Sequence, residues 1–141
     1  MYKKILLPTD GSGYAEEEAE RVTKLLADGG EAIVLAVAGK LTSSAFQSRR
    51  NVKKMNKELY KEAEENVEHM LTHFDDNINV RGMVKVGFPA ETIINVANKE
   101  NVDLIVISSS GKSGLHRFIL GSVTEEVLKT TEVDVLMIPN K

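Results

Sequence analysis

The chain has 141 residues, a length that fits one domain around one core. Hydrophobic residues make up 42% and charged residues 28%, and the formal charge of −3 with no long basic run argues against nucleic acid as the main partner. With no cysteine, disulfides, thiolate metal sites and cysteine nucleophiles are all excluded.

The chain opens with MYKKILLPTDGS. Its apolar run is too short for a signal peptide or a membrane span, so a cytoplasmic protein with no membrane partner is expected. The run KKILLP, stopped by Pro8, reads as a buried strand. Ser12 is placed to cap the following helix, and Glu16, Glu17 and Glu18 suit its positive N-terminal end. Ala15, Ala19, Val22, Leu25 and Leu26 recur at helical spacing, and Gly29-Gly30 is expected to end that helix. AIVLAVA, residues 32–38, is a second buried strand. The polar stretch from Gly39 to about Arg50 is the one long connection and is expected to be mobile without ligand. The longest helix follows, with Val52, Met55, Leu59, Ala63, Val67, Met70, Leu71 and Phe74 along one face.

Val80, Gly82, Val84 and Val86 alternate as a third strand, and Pro89 opens a helix carrying Ile93, Ile94 and Ala97. Leu104 to Ile107 form a fourth strand. Leu120, Val123, Val127 and Leu128 mark a last helix, and Val133 to Ile138 a fifth strand. Strands separated by helices imply an α/β fold: an open five-stranded parallel sheet with right-handed crossovers and helices on both faces. In such sheets ligands bind beyond the carboxyl ends of the strands, where the strand order reverses. With the order 3-2-1-4-5, that switch lies between the loop PTDGS, residues 8–12, and the stretch SSSGKSGLHRFILGS, residues 108–122.

The second stretch contains Gly111-Lys112-Ser113, the tail of a Walker A loop, but that motif requires glycine at 106, where Val106 stands inside a strand. Gly121-Ser122 opens the final helix, so its backbone N–H groups and dipole suit an anion, although the same pair also reads as a plain helix cap. Gly111 allows close backbone approach, and Lys112, His116 and Arg117 give the loop positive character, or are simply solvated. His69 and His73, four apart, read as an exposed helix face with no third ligand in view, so no metal site from protein side chains alone is expected. Asp10 has no nucleophile or second carboxylate placed to work with it, so no catalytic residue is assigned. At most, slow catalytic turnover is expected. A receiver domain would need an aspartate after strand three and a lysine after strand five, where Val86-Gly87 and Pro139-Asn140 stand.

The spacing Ser108-x2-Gly111-x9-Gly121-Ser122 resembles the G-x2-G-x9-G-[ST] motif of nucleotide-binding universal stress proteins. The likeness runs through KKILLPTDGS, VGFPAETIINVANKENVDLIVIS, GSVTEEVLK and DVLMIP, essentially the whole chain. It implies a Rossmann-like sheet of the adenine-nucleotide alpha-hydrolase-like type in a small cytoplasmic protein. That protein would bind ATP, or ADP or AMP, with or without Mg2+, and act as a stress-response sensor or switch.

By the same resemblance, Pro8, Thr9 and Asp10 would approach the base and ribose, and the backbone at Val37 would face adenine. Ser108, Ser109, Ser110, Gly111, Lys112, Ser113 and Gly114, then Ser122, Val123 and Thr124 after Gly121, would cradle ribose and phosphates. Ser108 replaces the first motif glycine. If that position needs positive φ, serine weakens the site, and the alternative is a family member acting only through protein contacts. The last strand, VDVLMIP, would lie at a sheet edge guarded only by Asp134, so a homodimer through residues 133–138 is expected, as is common in the family.

Overall fold

Alternation of side chains along each strand organises the molecule. In the computed structural model, which describes residues 1–12, 14–41, 48–109 and 121–139, the elements are β1 (Tyr2–Pro8), α1 (Ala15–Leu25), β2 (Leu26–Ala38), α2 (Arg49–Leu71), β3 (Val80–Val86), α3 (Pro89–Lys99), β4 (Leu104–Ser108), α4 (Ser122–Thr130) and β5 (Asp134–Ile138). The strands form one parallel sheet in the order β3-β2-β1-β4-β5. Both the fold class and the strand order expected from the sequence are therefore found.

Odd and even positions of a strand point to opposite faces. Ile5, Leu7, Val34, Ala36 and Val106 face one side, against Ala19 and Val22 of α1 and Ala63, Val67 and Met70 of α2. Leu6, Ile33, Leu35, Ile105 and Ile107 face the other, against Ala90, Ile93, Val96 and Ala97 of α3 and Val127 of α4. The three central strands are covered on both faces, which is why they read as continuous apolar runs.

The contact between β1 and β4 is short, with Ile5 opposite Leu104 and Leu6 opposite Ile105. Asp103 extends it: its carboxylate accepts the Lys3 N–H at 3.0 Å and the Lys4 N–H at 2.8 Å, while its own N–H donates to the Lys4 carbonyl at 2.9 Å.

Several local expectations are corrected. α1 ends at Leu25, and Leu26 is already extended and pairs with Tyr2. Gly29-Gly30 does not terminate a helix. It lies in an irregularity of β2, where the next registered pair is Lys4 with Glu31. Gly29 has φ +77, and a Cβ on Gly30 would lie 2.8 Å from the Lys3 carbonyl, so both positions need glycine for backbone reasons. Ser12 does not cap α1: the N-cap residue is Tyr14, with no side-chain capping bond.

α2 begins at Arg49 rather than past Arg50, and its cap is Ser48, whose hydroxyl accepts the Asn51 N–H at 3.2 Å. Met55 and Leu128, expected on buried stripes, are exposed. Much of the 39–50 connection, residues 42–47, lies outside the described residues. Its start is anchored, because the Asn56 side chain bonds both the N–H and the carbonyl of Leu41, at 2.7 and 3.0 Å.

Gly82 lets α2 close onto β3, for a Cβ there would stand 2.4 Å from Cγ1 of Val67. The Val67 side chain is β-branched and held in one rotamer by its helix, so it cannot turn away. Gly82→Ala should therefore destabilise the protein by about 1–3 kcal/mol, the usual cost of overpacking. In the Val67→Ala background the same change should cost clearly less, a non-additivity that urea unfolding of the double-mutant cycle will detect.

Candidate functional site

Because β1 and β4 are neighbours and their crossovers depart to opposite faces, a crevice opens beyond their carboxyl ends. Among the described residues, three backbone segments frame this end of the β1–β4 contact.

The first is the turn after β1. Pro8 is the last β1 residue in register with β2, opposite Leu35. The Thr9 N–H still donates to the Leu35 carbonyl at 2.8 Å, after which the chain bends away. Asp10 Oδ1 accepts the Ser12 N–H at 2.9 Å and also the Ser12 hydroxyl, and Thr9 Oγ1 accepts the Gly11 N–H at 3.3 Å. An aspartate bonded to the backbone two residues on is a self-contained turn. Ser12 therefore holds Asp10 in place rather than capping α1. Gly11 is required by its φ of +84, and a Cβ there would also lie 2.6 Å from Oδ1 of Asn66 on α2, whose side chain would have to shift. Asp10 itself is solvent-exposed at this turn.

The end of β4 is the second segment. Ser109, only 1% exposed, donates its N–H to the Ile138 carbonyl at 2.8 Å. Ser108 completes β4, and among the described non-glycine residues only Asn101 has a positive φ, of 56. The expected conformational penalty for serine in place of the first motif glycine is thus absent. The position is extended backbone, which any residue adopts.

The start of α4 forms the third. The Gly121 N–H donates to the Ser109 carbonyl at 2.8 Å, and the Thr124 hydroxyl donates to the Ser108 carbonyl at 2.8 Å. Together these bonds clamp the helix N-terminus onto the end of β4. Gly121 is the N-cap, at φ −66 and ψ 152, so it supplies no special conformation and its N–H is engaged. The donors offered by the helix start are those of Ser122, Val123 and Thr124, whose N–H groups have no partner within a helix. Thr124 is buried while Ser122 is exposed.

Val37 lies on β2 two residues past Leu35, beyond the end of the ladder to β1, while on its other side it pairs with Lys85 of β3. Its side chain packs against the core of the α3 and α4 face. Ser110, Gly111, Lys112, Ser113 and Gly114, with His116 and Arg117, lie outside the described residues. His69 and His73 are both exposed, with rings 5.0 Å apart edge to face. Among the described residues no group of three or more His, Cys, Asp or Glu could hold a metal ion.

Sequence reading missed Glu18. Its place beside Glu16 and Glu17 suggests only a partner for the helix dipole, yet it is 3% exposed, and its Oε2 has no hydrogen-bond partner among the described residues. Burial, reinforced by the charges of Asp10 and Glu17, raises its carboxyl from the ordinary 4.5 to about 7. The α1 N-terminus opposes this shift, but a helix dipole contributes only about 0.3–1 kcal/mol, less than one pKa unit. Desolvation wins. The signal was present in the spacing: Ala15, Glu18, Val22 and Leu25 follow one another at three, four and three residues, which puts Glu18 on the stripe that packs inward.

The comparisons with known proteins agree with this architecture. The Universal stress protein family matches residues 1–139. Universal stress protein MJ0577 of Methanocaldococcus jannaschii is 36% identical over 161 aligned positions that cover 100% of this chain and 97% of that protein. The solved structure of MJ0577 superposes with a TM-score of 0.84 at 34% identity, covering 100% of this chain and 98% of the other. More distant structures share the fold: a universal stress protein in complex with cAMP, at 20% identity and TM-score 0.59, covers 97% of this chain and 96% of its own. Another from Archaeoglobus fulgidus in complex with dAMP, at 19% identity and TM-score 0.57, covers 97% and 98%. With its sheet order, its crevice and a family match running from the first strand through the last, this chain belongs to the universal stress protein family.

Proposed function

We propose that the protein binds an adenine nucleotide, ATP or its di- or monophosphate with or without Mg2+, in the crevice between β1 and β4, and serves as a stress-response sensor or switch. The observation that carries this reading is the clamp between Ser108-Ser109 and Gly121-Thr124, which sets a helix N-terminus at the topological switch, beside the Asp10 turn. Helix starts of this kind offer N–H groups and a positive dipole to phosphate. The cAMP and dAMP complexes of fold relatives support a nucleotide as the occupant.

Magnitudes show how the work is divided. A charge-assisted N–H···phosphate bond contributes roughly 1.5–3 kcal/mol. Three of them, from Ser122, Val123 and Thr124, barely reach the roughly 8 kcal/mol of a micromolar site before association costs are met. The ribose and base end, at Thr9, Asp10 and the Val37 backbone, must therefore contribute. The family motif loop through Ser110, Gly111, Lys112, Ser113 and Gly114 completes the phosphate side in this reading.

Calorimetry with Mg-ATP tests it. The parent protein should bind, and Asp10→Ala should weaken binding by about ten- to a hundredfold, the value of one hydrogen bond to a charged group. Gly121→Val should weaken it by at least about tenfold through side-chain bulk at the helix start, since valine adopts that backbone conformation without strain. Ser108→Gly should change affinity by less than about threefold, because Ser108 is unstrained. If the parent and Ser108→Gly both bind nothing at millimolar ATP, the protein acts through protein contacts alone.

We further propose that the protein is a homodimer through β5. This strand ends the sheet, Met137 on it is exposed, and Val135 and Leu136 are half-buried. Its one charge, Asp134, is engaged by the Tyr2 hydroxyl at 3.0 Å. An apolar edge this lightly guarded favours strand or side-chain pairing with a second copy. Light scattering should give a dimer that Val135→Lys or Met137→Lys converts to monomer; a concentration-independent parent monomer would refute it.

A further inference from the structure

Most of the polar side chains at the crevice serve the fold. Ser12 holds Asp10, Asn66 closes over Gly11, and Thr124 clamps β4. Glu18 does not. An alanine would continue the buried stripe of α1 at no cost, whereas a buried carboxyl with an unpartnered oxygen is a standing penalty. Among the described residues, its surroundings supply no compensation. Among the described residues, the charges acting on it are Asp10, from the turn after β1, and Glu17, on its own helix, both anionic. The strands beneath α1 present Ile5, Leu7, Leu104 and Val106, all apolar, and α2 contributes the neutral Asn66 amide at the neighbouring Gly11.

We propose that Glu18 makes occupancy of the crevice proton-linked: with its carboxyl neutral the site accepts a nucleotide polyphosphate, and with it ionised beside Asp10 the site rejects one. The inference rests on the nucleotide reading above and adds a control that the reading does not contain. Its physical basis is reciprocity. A bound polyanion disfavours the charged carboxylate, so nucleotide raises the proton affinity of Glu18, and protonation must raise nucleotide affinity by the same factor. Burial holds the unliganded carboxyl at about 7, which sets the switch near neutrality rather than in the acid range of ordinary glutamates.

Two measurements on the full chain test this, each with the parent, Glu18→Gln and, should the amide not fold, Glu18→Ala, which extends the apolar stripe. Mg-ATP affinity by calorimetry should fall by at least about tenfold in the parent between about pH 6 and about pH 8.5, relative to the variant over the same range. The titration of ATP itself is common to both proteins and cancels in that ratio. Without ligand, a carboxyl whose folded value exceeds its unfolded one stabilises fully below the unfolded value of 4.5, and that stability is lost as pH rises through about 7. The urea midpoint of the parent should therefore fall across this window relative to the variant.

Parallel urea midpoints would show that Glu18 ionises normally and would overturn the proposal. So would equal pH dependence of ATP affinity in parent and variant, with the nucleotide reading left intact. Absence of ATP binding by both proteins at every pH would remove the nucleotide reading and the proton linkage together, even if the urea midpoints diverge.

Discussion

The reversal of strand order at the β1–β4 contact is the constraint on which the rest of the molecule depends. Only two residue pairs are in register there, Ile5 with Leu104 and Leu6 with Ile105, yet this contact joins the β3-β2-β1 half of the sheet to β4-β5. Right-handed crossovers then force the helix leaving β1 and the helix leaving β4 onto opposite faces. A crevice beyond the carboxyl ends of these strands follows from that topology. Asp103 secures the opposite end of the contact by taking the N–H groups of Lys3 and Lys4. The strand that carries Thr9 and Asp10 is thereby held at a constant offset from the one that carries Ser108 and Ser109.

Backbone hydrogen bonds, more than side chains, shape the crevice. Thr9, Ser109 and Gly121 each commit an N–H to a carbonyl on a neighbouring segment. The Thr124 hydroxyl adds a fourth link, the second between α4 and the end of β4. Buried backbone groups must be paired, so these commitments leave little freedom for the loop bases to move. Among the described residues, the first turn of α4 and the Asp10 turn lie at this end, one electropositive by dipole and the other anionic. That polarity matches a ligand with phosphates at one end and hydroxyl or amine donors at the other.

The same end of the sheet brings anionic groups together. Glu18, Asp10 and Glu17 are three carboxyls in one neighbourhood, and one of them is buried. By contrast, Arg81 lies between Glu31 and Glu100, where the guanidinium lowers the Glu100 carboxyl. Stability alone does not explain an uncompensated carboxyl beside a turn where Thr9, Asp10 and Ser12 all have partners. Such departures from local consistency are expected where function, not folding, sets the residue.

Much of the architecture was legible in the chain. Apolar runs of strand length separated by helical periods identify a parallel sheet, because only a strand buried on both faces can be apolar throughout. The motif spacing from Ser108 to Ser122 and the PTDGS turn pointed to one end of the sheet, by resemblance as well as by the rule for open sheets, and the turn, the end of β4 and the start of α4 do share that end. Three things were decided only by the tertiary structure. Gly29-Gly30 reads identically as a helix stop or a strand irregularity, and the approach of the Lys3 carbonyl selects the second. Ser108 reads as a strained substitution, but φ is set by the strand it ends, not by the motif it belongs to. Glu18 carries an ordinary residue name, and its chemistry comes from what packs around it: desolvation and the charge of a turn eight residues earlier change its proton affinity, and neither is a property of the residue itself.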